Sequence, residues 1–319
     1  MVDRFRDLPF LPVFVVGAPR SGTTWIQNML GSHPSICAPP EIGLFHTYLS
    51  PLDSRWSHET AAQRRPNARR RGLPAVLARQ EFVDLLRQVA VGVYESARRC
   101  KPAASVLIDK EPTNTPHMQL IAEIFPEARF VHLLRDGRDV AASLVAAHEG
   151  WAHDWAPGNV ADAARCWKDH VGWARDGRRT GLPFLEVRYE DLLASPVESL
   201  LALFDFLGVD GDAEVATAMI EEHAFARDKE RGTEPPGFHR SGTVGSWVDH
   251  WTAFQRASFD RTAGRLLLEV GYETDPSWSD ASAGARAATA GDAVVRRVRE
   301  AVKYPVRSWI ARHPSLAGN

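Results

Sequence analysis

Residues 13–30 read Val13-Phe-Val-Val-Gly-Ala-Pro-Arg-Ser-Gly-Thr-Thr-Trp-Ile-Gln-Asn-Met-Leu30 and contain the pattern that decides the fold. An apolar strand runs into a turn bounded by Gly17 and Gly22, and a helix follows. This spacing lets backbone N–H groups converge on phosphate oxygens at a helix N-terminus, where the helix dipole adds positive potential. The stretch therefore predicts a phosphate-binding loop between the first strand and the first helix.

The cation of this loop stands in an unusual place. A nucleotide-hydrolysing loop has a lysine after its second glycine, whereas this chain has Thr23 there and carries Arg20 inside the loop. We therefore expect the loop to hold a phosphate-bearing nucleotide without the lysine contact to a γ-phosphate. An ordinary glycine turn between a strand and a helix is the alternative interpretation of the two glycines.

The loop resembles the 5′-phosphosulfate loop of sulfotransferases that use 3′-phosphoadenosine 5′-phosphosulfate (PAPS). That loop has Lys or Arg, then Ser-Gly-Thr-Thr, then Trp or Leu, after a strand. The chain matches the pattern at all six positions, which are Arg20, Ser21, Gly22, Thr23, Thr24 and Trp25. The resemblance implies that these residues bind PAPS and that Trp25 stacks on its adenine. A core position on the first helix is the alternative for Trp25.

A second strand, turn and helix start covers residues 130–143, with Arg135 at the end of the strand and Ser143 in the helix. Both side chains can bind phosphate, because an arginine fork bonds two oxygens and a hydroxyl in the first turns of a helix adds a donor. In the sulfotransferases that the chain resembles, the matching arginine and serine hold the 3′-phosphate of PAPS. A surface turn stabilised by its own Asp–Arg pairs is the alternative.

Two later segments extend the resemblance along the chain. Residues 187–193 resemble the family's Arg-Tyr-Glu-Asp-Leu segment, whose tyrosine contacts the nucleotide, and Tyr189 is the matching residue. Residues 238–247 resemble the loop that closes over the 3′-phosphate. The residues that match this loop are Arg240, Ser241 and Gly242. Val248 stands where many cytosolic relatives have Lys, so one basic contact is missing or comes from elsewhere.

Sulfuryl transfer needs a base for the proton of the acceptor and cations for the charge on the leaving phosphate. Residues 108–114 lack the histidine base of the hormone and phenol branch and resemble a segment of the tyrosylprotein and bacterial branches. The resemblance implies that Glu41 is the catalytic base, and that Lys110 and Arg20 stabilise the transferring group. The alternatives are an ordinary exposed carboxylate for Glu41 and a structural pair with Glu111 for Lys110.

Apolar strand-like runs alternate with helix-like stretches, which predicts an α/β fold with a central parallel β-sheet flanked by helices. The resemblance implies the P-loop-like sulfotransferase fold. The predicted strands are residues 13–16, 105–108, 130–134 and 184–187. The predicted helices include residues 81–98, 116–125, 139–147, 160–175 and 195–207. We expect a sulfotransferase domain over residues 1–274, a linker over 275–292 and a basic amphipathic C-terminal helix or tail over 293–319.

Two segments allow two interpretations each. The arginine-rich residues 55–80 form either a mobile loop over the acceptor site or a solvated surface segment. Residues 293–319 carry valine, tryptophan and isoleucine beside arginines. A helix there either packs on its own domain or contacts a membrane surface or a partner.

The composition excludes some classes of partner. The 319 residues suffice for one large α/β domain, and 38 basic side chains balance 40 acidic ones, so no overall charge favours nucleic acid. Three widely spaced cysteines fit free thiols in a reducing compartment, and no zinc-ligand spacing occurs. Because no long apolar stretch lies near the N-terminus, we expect a cytoplasmic enzyme. Since metal-ligand spacing is absent and sulfuryl transfer by these residues requires no metal, we expect no metal cofactor.

The resemblance implies an enzyme that transfers the sulfuryl group of PAPS to a hydroxyl, and we expect a small-molecule, glycan or lipid acceptor. The product of the donor is adenosine 3′,5′-bisphosphate (PAP). A P-loop kinase is one alternative, because residues 106–109 end in Asp109 as a magnesium-binding strand does. A nucleotide-binding module without catalysis is another. Magnesium-dependent consumption of ATP would favour the kinase, and binding without turnover would favour the module.

Overall fold

The computed structural model describes residues 8–65, 69–223 and 243–279. Its strands are β1 (Leu11–Val16), β2 (Ile36–Cys37), β3 (Val106–Lys110), β4 (Arg129–Leu134) and β5 (Phe184–Arg188). The helices before β5 are α1 (Thr23–Ser32), α2 (Ser50–Gln63), α3 (Arg79–Ala97), α4 (Met118–Ile124), α5 (Gly137–His148) and α6 (Val160–Gly177). The helices after β5 are α7 (Tyr189–Ala194), α8 (Pro196–Leu207), α9 (Ala213–Glu222), α10 (Trp247–His250), α11 (Ala253–Phe259) and α12 (Arg265–Glu269).

The five strands form one parallel sheet in the order β2-β3-β1-β4-β5. In its register, Val15 of β1 lies opposite Lys110 of β3, and Val16 lies opposite His132 of β4. The strand order reverses at β1, because the chain adds β3 on one side of β1 and β4 on the other. Open α/β sheets bind ligands beside such a reversal, at the carboxyl ends of the strands. The loop after β1 begins at this point of the sheet.

The described chain divides into two compact units, and aromatic side chains fill the core of the first. Of the described residues, the first unit comprises 8–17, 23–65, 69–132 and Gly172–Leu185. The ring of Phe14 in β1 lies 5.5 Å from that of Phe45, 6.1 Å from that of Phe125 and 5.9 Å from that of Phe130. All four rings are fully buried. Burial of each such ring contributes roughly 1.5–3 kcal/mol, which explains why β1 is apolar.

The second unit has a core rich in tryptophan. Of the described residues it comprises Ala18–Gly22, Leu133–Val171, 186–223 and 243–279. Trp167 is fully buried, and the rings of Trp247 and Phe259 lie 5.7 Å and 6.0 Å from that of Trp278. Packed residues therefore continue to Trp278, inside the predicted linker 275–292. The rest of that linker and the predicted C-terminal helix lie outside the described residues, and the predicted domain boundaries stay predictions.

The predicted α/β fold with a central parallel sheet flanked by helices is confirmed. Strands β1, β3, β4 and β5 and helices α3, α4, α5, α6 and α8 match their predicted bounds within two residues. Strand β2 has two residues and is too short to give a sequence signal. Local apolar periodicity acts over neighbouring residues, so it locates these elements well.

Part of the arginine-rich segment is helical rather than a loop. Helix α2 continues to Gln63, and Trp56 within it is buried and stacks on Phe82 of α3 with ring centres 4.4 Å apart. A single buried aromatic side chain anchors an otherwise polar helix. The interpretation of this segment as a loop is therefore wrong for residues 55–63.

Candidate functional site

The loop after β1 has a backbone conformation that requires its second glycine. Gly22 has a φ of +96°, and a Cβ atom there would lie 2.6 Å from Cδ2 of Tyr189. Arg20 adopts a φ of 72°, which is uncommon for a residue with a side chain. Strained backbone of this kind clusters at functional sites. The predicted cation of the loop is thus presented by an unusual backbone conformation.

In the second unit, the loop cation meets the residues of the second phosphate motif. Nε of Arg20 donates to Oγ of Ser143 at 3.1 Å, and Nη1 of Arg135 donates to the carbonyl oxygen of Arg20 at 3.1 Å. The guanidinium of Arg135 lies 4.2 Å from the ring centre of Tyr189. Four of the predicted nucleotide-binding residues therefore form one contact cluster, which we call the arginine cluster: Arg20, Arg135, Ser143 and Tyr189.

The arginine cluster and its neighbour Ser21 are largely buried. Ser21, Arg135 and Ser143 are all less than a tenth exposed. Oγ of Ser21 and Nε of Arg135 are buried without a hydrogen-bond partner among the described residues. Burial raises the pKa of Tyr189, which keeps its hydroxyl protonated. Buried polar atoms without partners are costly, and they are typical of a site that a ligand or water completes.

In the first unit, Lys110 joins the start of α1 to Glu41. Nζ of Lys110 donates to Oγ1 of Thr24 at 3.1 Å and forms an ion pair with Oε1 of Glu41. The side chain of Lys110 is 2% exposed and that of Glu41 is 48% exposed. We call this group the lysine cluster. Among the described residues, the carboxylate that pairs with Lys110 is Glu41 and not Glu111, so the structural alternative for Lys110 is wrong.

Glu111 follows Lys110 and has a raised pKa. Burial raises its pKa to about 7, and the negative charge of Glu41 adds to this rise. A hydrogen bond with the side chain of Thr113 acts in the opposite direction. A carboxyl group next to the lysine cluster in sequence therefore changes its charge near neutral pH.

Asp109, the magnesium ligand of the kinase alternative, makes its hydrogen bonds inside the protein core. Its carboxylate accepts hydrogen bonds from the hydroxyl of Tyr94 and, at 3.0 Å, from Nδ2 of Asn114. Asp109 is 4% exposed, and its burial raises its pKa. A magnesium ligand must instead be ionised and reachable by the metal and the nucleotide. This arrangement argues against a kinase.

Two contacts of the phosphate loop had no signal in the sequence. In the first unit, the backbone N–H of Gly17 donates to Oγ1 of Thr115 at 3.2 Å. In the second unit, the guanidinium carbon of Arg20 lies 5.5 Å from the ring centre of Trp151. Both partners are far from the loop in sequence, and neither lies in a recognisable motif.

The segment after residue 242 is held by the second phosphate motif. Nη2 of Arg135 donates to the carbonyl oxygen of Thr243 at 3.2 Å. Asp139 accepts hydrogen bonds from the backbone N–H of Gly245 at 2.7 Å and from Oγ of Ser246 at 3.0 Å. The position of Asp139, an acidic residue in the first turn of α5, was the sequence signal for this hydrogen-bond acceptor, but the motifs did not single it out.

The structure leaves the roles of the remaining predicted site residues as predictions. Trp25 on α1 is half-buried, and Thr23 is buried, so their nucleotide contacts stay predictions. Three predicted residues lie outside the described part of the chain: Arg240, Ser241 and Gly242. Within residues 8–65, 69–223 and 243–279, no group of three or more His, Cys, Asp or Glu side chains could hold a metal ion. None of the helices in these ranges has the length and apolar content needed to cross a membrane.

Comparison with known proteins identifies the family. The model of the sulfotransferase family matches residues 12–213, which is more than half of the chain, so the chain belongs to this family. Nodulation protein NoeE of Sinorhizobium fredii is 28% identical over 303 residues, covering 84% of this chain and 68% of that protein. Protein-tyrosine sulfotransferase A of Caenorhabditis elegans is 27% identical over 140 residues, covering 44% of this chain and 34% of that protein. The match thus spans about a third of the tyrosine sulfotransferase.

Solved structures confirm the predicted sulfotransferase fold. The sulfotransferase domain of the Synechococcus PCC 7002 olefin synthase aligns with a TM-score of 0.52 and 23% identity, covering 82% of this chain and 96% of that domain. Mouse sulfotransferase SULT7A1 complexed with PAP aligns with a TM-score of 0.52 and 16% identity, covering 85% of this chain and 90% of that one.

Proposed function

We propose that the protein transfers the sulfuryl group of PAPS to a hydroxyl of a small-molecule, glycan or lipid acceptor and releases PAP. The arginine cluster carries this proposal. It joins the cation of the 5′-phosphosulfate loop to the arginine and serine that hold the 3′-phosphate in the sulfotransferase pattern. The complex of mouse SULT7A1 with PAP supports the same nucleotide here.

The proposed role of Arg135 follows from its fixed position. Two of its nitrogens donate to the carbonyl oxygens of Arg20 and Thr243, and its guanidinium carbon lies 4.2 Å from the ring centre of Tyr189. A side chain held in this way loses little conformational entropy when it binds a phosphate. We assign the 3′-phosphate to Arg135 and Ser143. On the resemblance alone, we add the later loop residues Arg240, Ser241 and Gly242.

The proposed chemistry uses the lysine cluster. The ion pair with Lys110 requires the carboxylate form of Glu41, which is the form that accepts the proton of an acceptor hydroxyl. About half of the Glu41 side chain is exposed, so an acceptor can reach it. As the acceptor oxygen attacks sulfur in line, the bond from sulfur to the phosphate oxygen of PAPS breaks. On the resemblance alone, we assign to Lys110 and Arg20 the neutralisation of the charge that develops on the leaving PAP, and the scheme uses no metal ion.

Nucleotide selectivity is the first test. Isothermal titration calorimetry should show tighter binding of PAP than of ADP or AMP, which lack the 3′-phosphate. One charge-assisted contact contributes about 1.5–3 kcal/mol, which corresponds to roughly ten- to hundredfold in affinity. Equal affinities for PAP and ADP would contradict the assignment.

Transfer itself is the second test. The protein is incubated with PAPS and an extract of the source organism, and mass spectrometry searches for molecules that have gained one sulfo group. Heat-denatured protein is the control. Binding of PAP without any sulfated product, over a broad panel of hydroxyl acceptors, would favour the module without catalysis.

A further inference from the structure

Two of the three cysteines, Cys37 and Cys100, lie close together in the first unit. Cys37 ends β2, and Cys100 ends the short turn that follows α3. Both thiols contact the same carbonyl oxygen, that of Ala97, which lies 3.9 Å from Sγ of Cys37 and 3.3 Å from Sγ of Cys100. Their sulfur atoms are therefore neighbours, although the residues are far apart in sequence.

The pair has one accessible and one enclosed member. Cys100 is exposed, whereas Cys37 is 1% exposed. Burial, together with the neighbouring Cys100, raises the pKa of Cys37 to about 11, while the charges of Lys101 and Arg98 act in the opposite direction. Nζ of Lys101 is held beside β2 by three carbonyl oxygens, those of Gly31, His33 and Ile36. An oxidant from solution therefore reaches Cys100 first, in surroundings that carry positive charge.

We propose that Cys37 and Cys100 form an oxidation site at which a peroxide converts the two thiols into a disulfide. The sulfur of Cys100 attacks one oxygen of hydrogen peroxide, the O–O bond breaks, and the second oxygen leaves as water. Cys100 is then a sulfenic acid. The sulfur of Cys37 attacks the sulfur of the sulfenic acid, and the displaced hydroxide leaves as water with the proton of Cys37. Two thiols and one peroxide thus become one disulfide and two waters.

The cross-link would tie β2 to the end of α3. Cys100 lies in an exposed turn, whereas Cys37 is packed in the sheet. A disulfide that closes a long loop restricts the unfolded chain and stabilises the folded one. The oxidised protein should therefore unfold at a higher temperature than the reduced protein. Oxidation at this site needs no sulfuryl transfer, so it holds whatever reaction the protein catalyses.

Peptide mapping under non-reducing conditions tests this site on the full-length protein after treatment with hydrogen peroxide. We expect a peptide pair joined through Cys37 and Cys100, lighter than the two reduced peptides by two hydrogen atoms and separated by dithiothreitol. We also expect a higher Tm for the oxidised protein. The C100S variant should show neither change. The C166S variant should show both, because Cys166 lies on α6 beside His170 and takes no part in the pair.

Two other results of the peptide mapping would contradict the proposal. Oxidation of Cys100 to a sulfinic acid while Cys37 remains a thiol would overturn the proposal. Disulfides that join Cys100 of two different chains, in place of the internal one, would overturn it as well. Circular dichroism of the C100S variant checks that this exposed substitution leaves the fold intact.

Discussion

Replacing Gly22 by alanine tests whether the conformation of the loop after β1 is needed for nucleotide binding. Alanine at a φ of +96° is strained by about 1–3 kcal/mol. Its Cβ atom would also lie 2.6 Å and 2.7 Å from Cδ2 and Cε2 of Tyr189, and overpacking of this kind costs typically about 1–3 kcal/mol. We therefore expect G22A to lose about 2–6 kcal/mol of its free energy of unfolding.

Gly92 offers a matched control for the same substitution. It is exposed in the middle of α3, and a Cβ atom there would meet nothing within 4 Å. Alanine is better than glycine at such a helix position by roughly 0.5–1 kcal/mol. G92A should therefore stabilise the protein by about this amount. The two variants make the same chemical change, yet their effects on stability should have opposite signs.

Urea unfolding measures both free energies, and calorimetry measures the affinity for PAP. We expect G22A to bind PAP at least about tenfold more weakly, because the Tyr189 ring that must move lies against Arg135. G92A should bind PAP as the wild type does. The reasoning is refuted if G22A keeps its free energy of unfolding within about 0.5 kcal/mol and also keeps its PAP affinity, while G92A is stabilised as expected.

Four further predictions address single features of the molecule. The R135A variant should lose about 1.5–3 kcal/mol of PAP binding energy by calorimetry, with little change for ADP, whereas equal losses would remove the 3′-phosphate from Arg135. The E41Q variant should keep its PAP affinity but transfer sulfuryl groups roughly 10²–10⁴ times more slowly on a verified acceptor, since an amide accepts no proton; near-normal turnover would mean that another group is the base. Burial raises the pKa of Glu190 from 4.5 to about 7. The folded state therefore holds this proton more tightly than the unfolded state, and stability falls as pH rises through that window. In urea unfolding at pH 5 and pH 8, E190Q should lack up to about 3 kcal/mol of this fall, and an unchanged pH profile would contradict the assignment. If residues 293–319 contact membranes, the full chain should sediment with anionic liposomes at low salt and a chain ending at Ser279 should not; absence of sedimentation by the full chain would remove that hypothesis.

Most of the fold could be predicted because its signals are local. The apolar run of β1 and the glycine spacing that follows it act over neighbouring residues, and the same holds for the strand and helix start at residues 129–148. Helix α2 was missed because Trp56 is its single buried residue, and its contact with Phe82 lies on another element. A polar surface helix of this kind is stabilised by tertiary packing more than by its own sequence.

The same distinction between local sequence signals and distant contacts applies to the candidate site. The motifs predict Arg20, Arg135 and Ser143 as phosphate-binding residues, because each belongs to a segment in which a strand runs through a turn into a helix. The contact between Arg20 and Trp151 had no such signal. For the hydrogen bonds from Gly245 and Ser246 to Asp139, the sequence signalled the acidic acceptor in the first turn of α5 but not its donors, which lie on a distant segment.

By itself, the sequence determined the class of the protein, the phosphate loop and the alternation of strands and helices, since glycine spacing and apolar periodicity depend on adjacent residues. Only the tertiary structure decided that Lys110 pairs with Glu41 and leaves Glu111 with a raised pKa. It likewise decided that the thiols of Cys37 and Cys100 share a contact with the carbonyl oxygen of Ala97. The physical reason is that charge pairing and burial depend on which strands and turns lie side by side, and distant parts of the chain meet only when the sheet has formed.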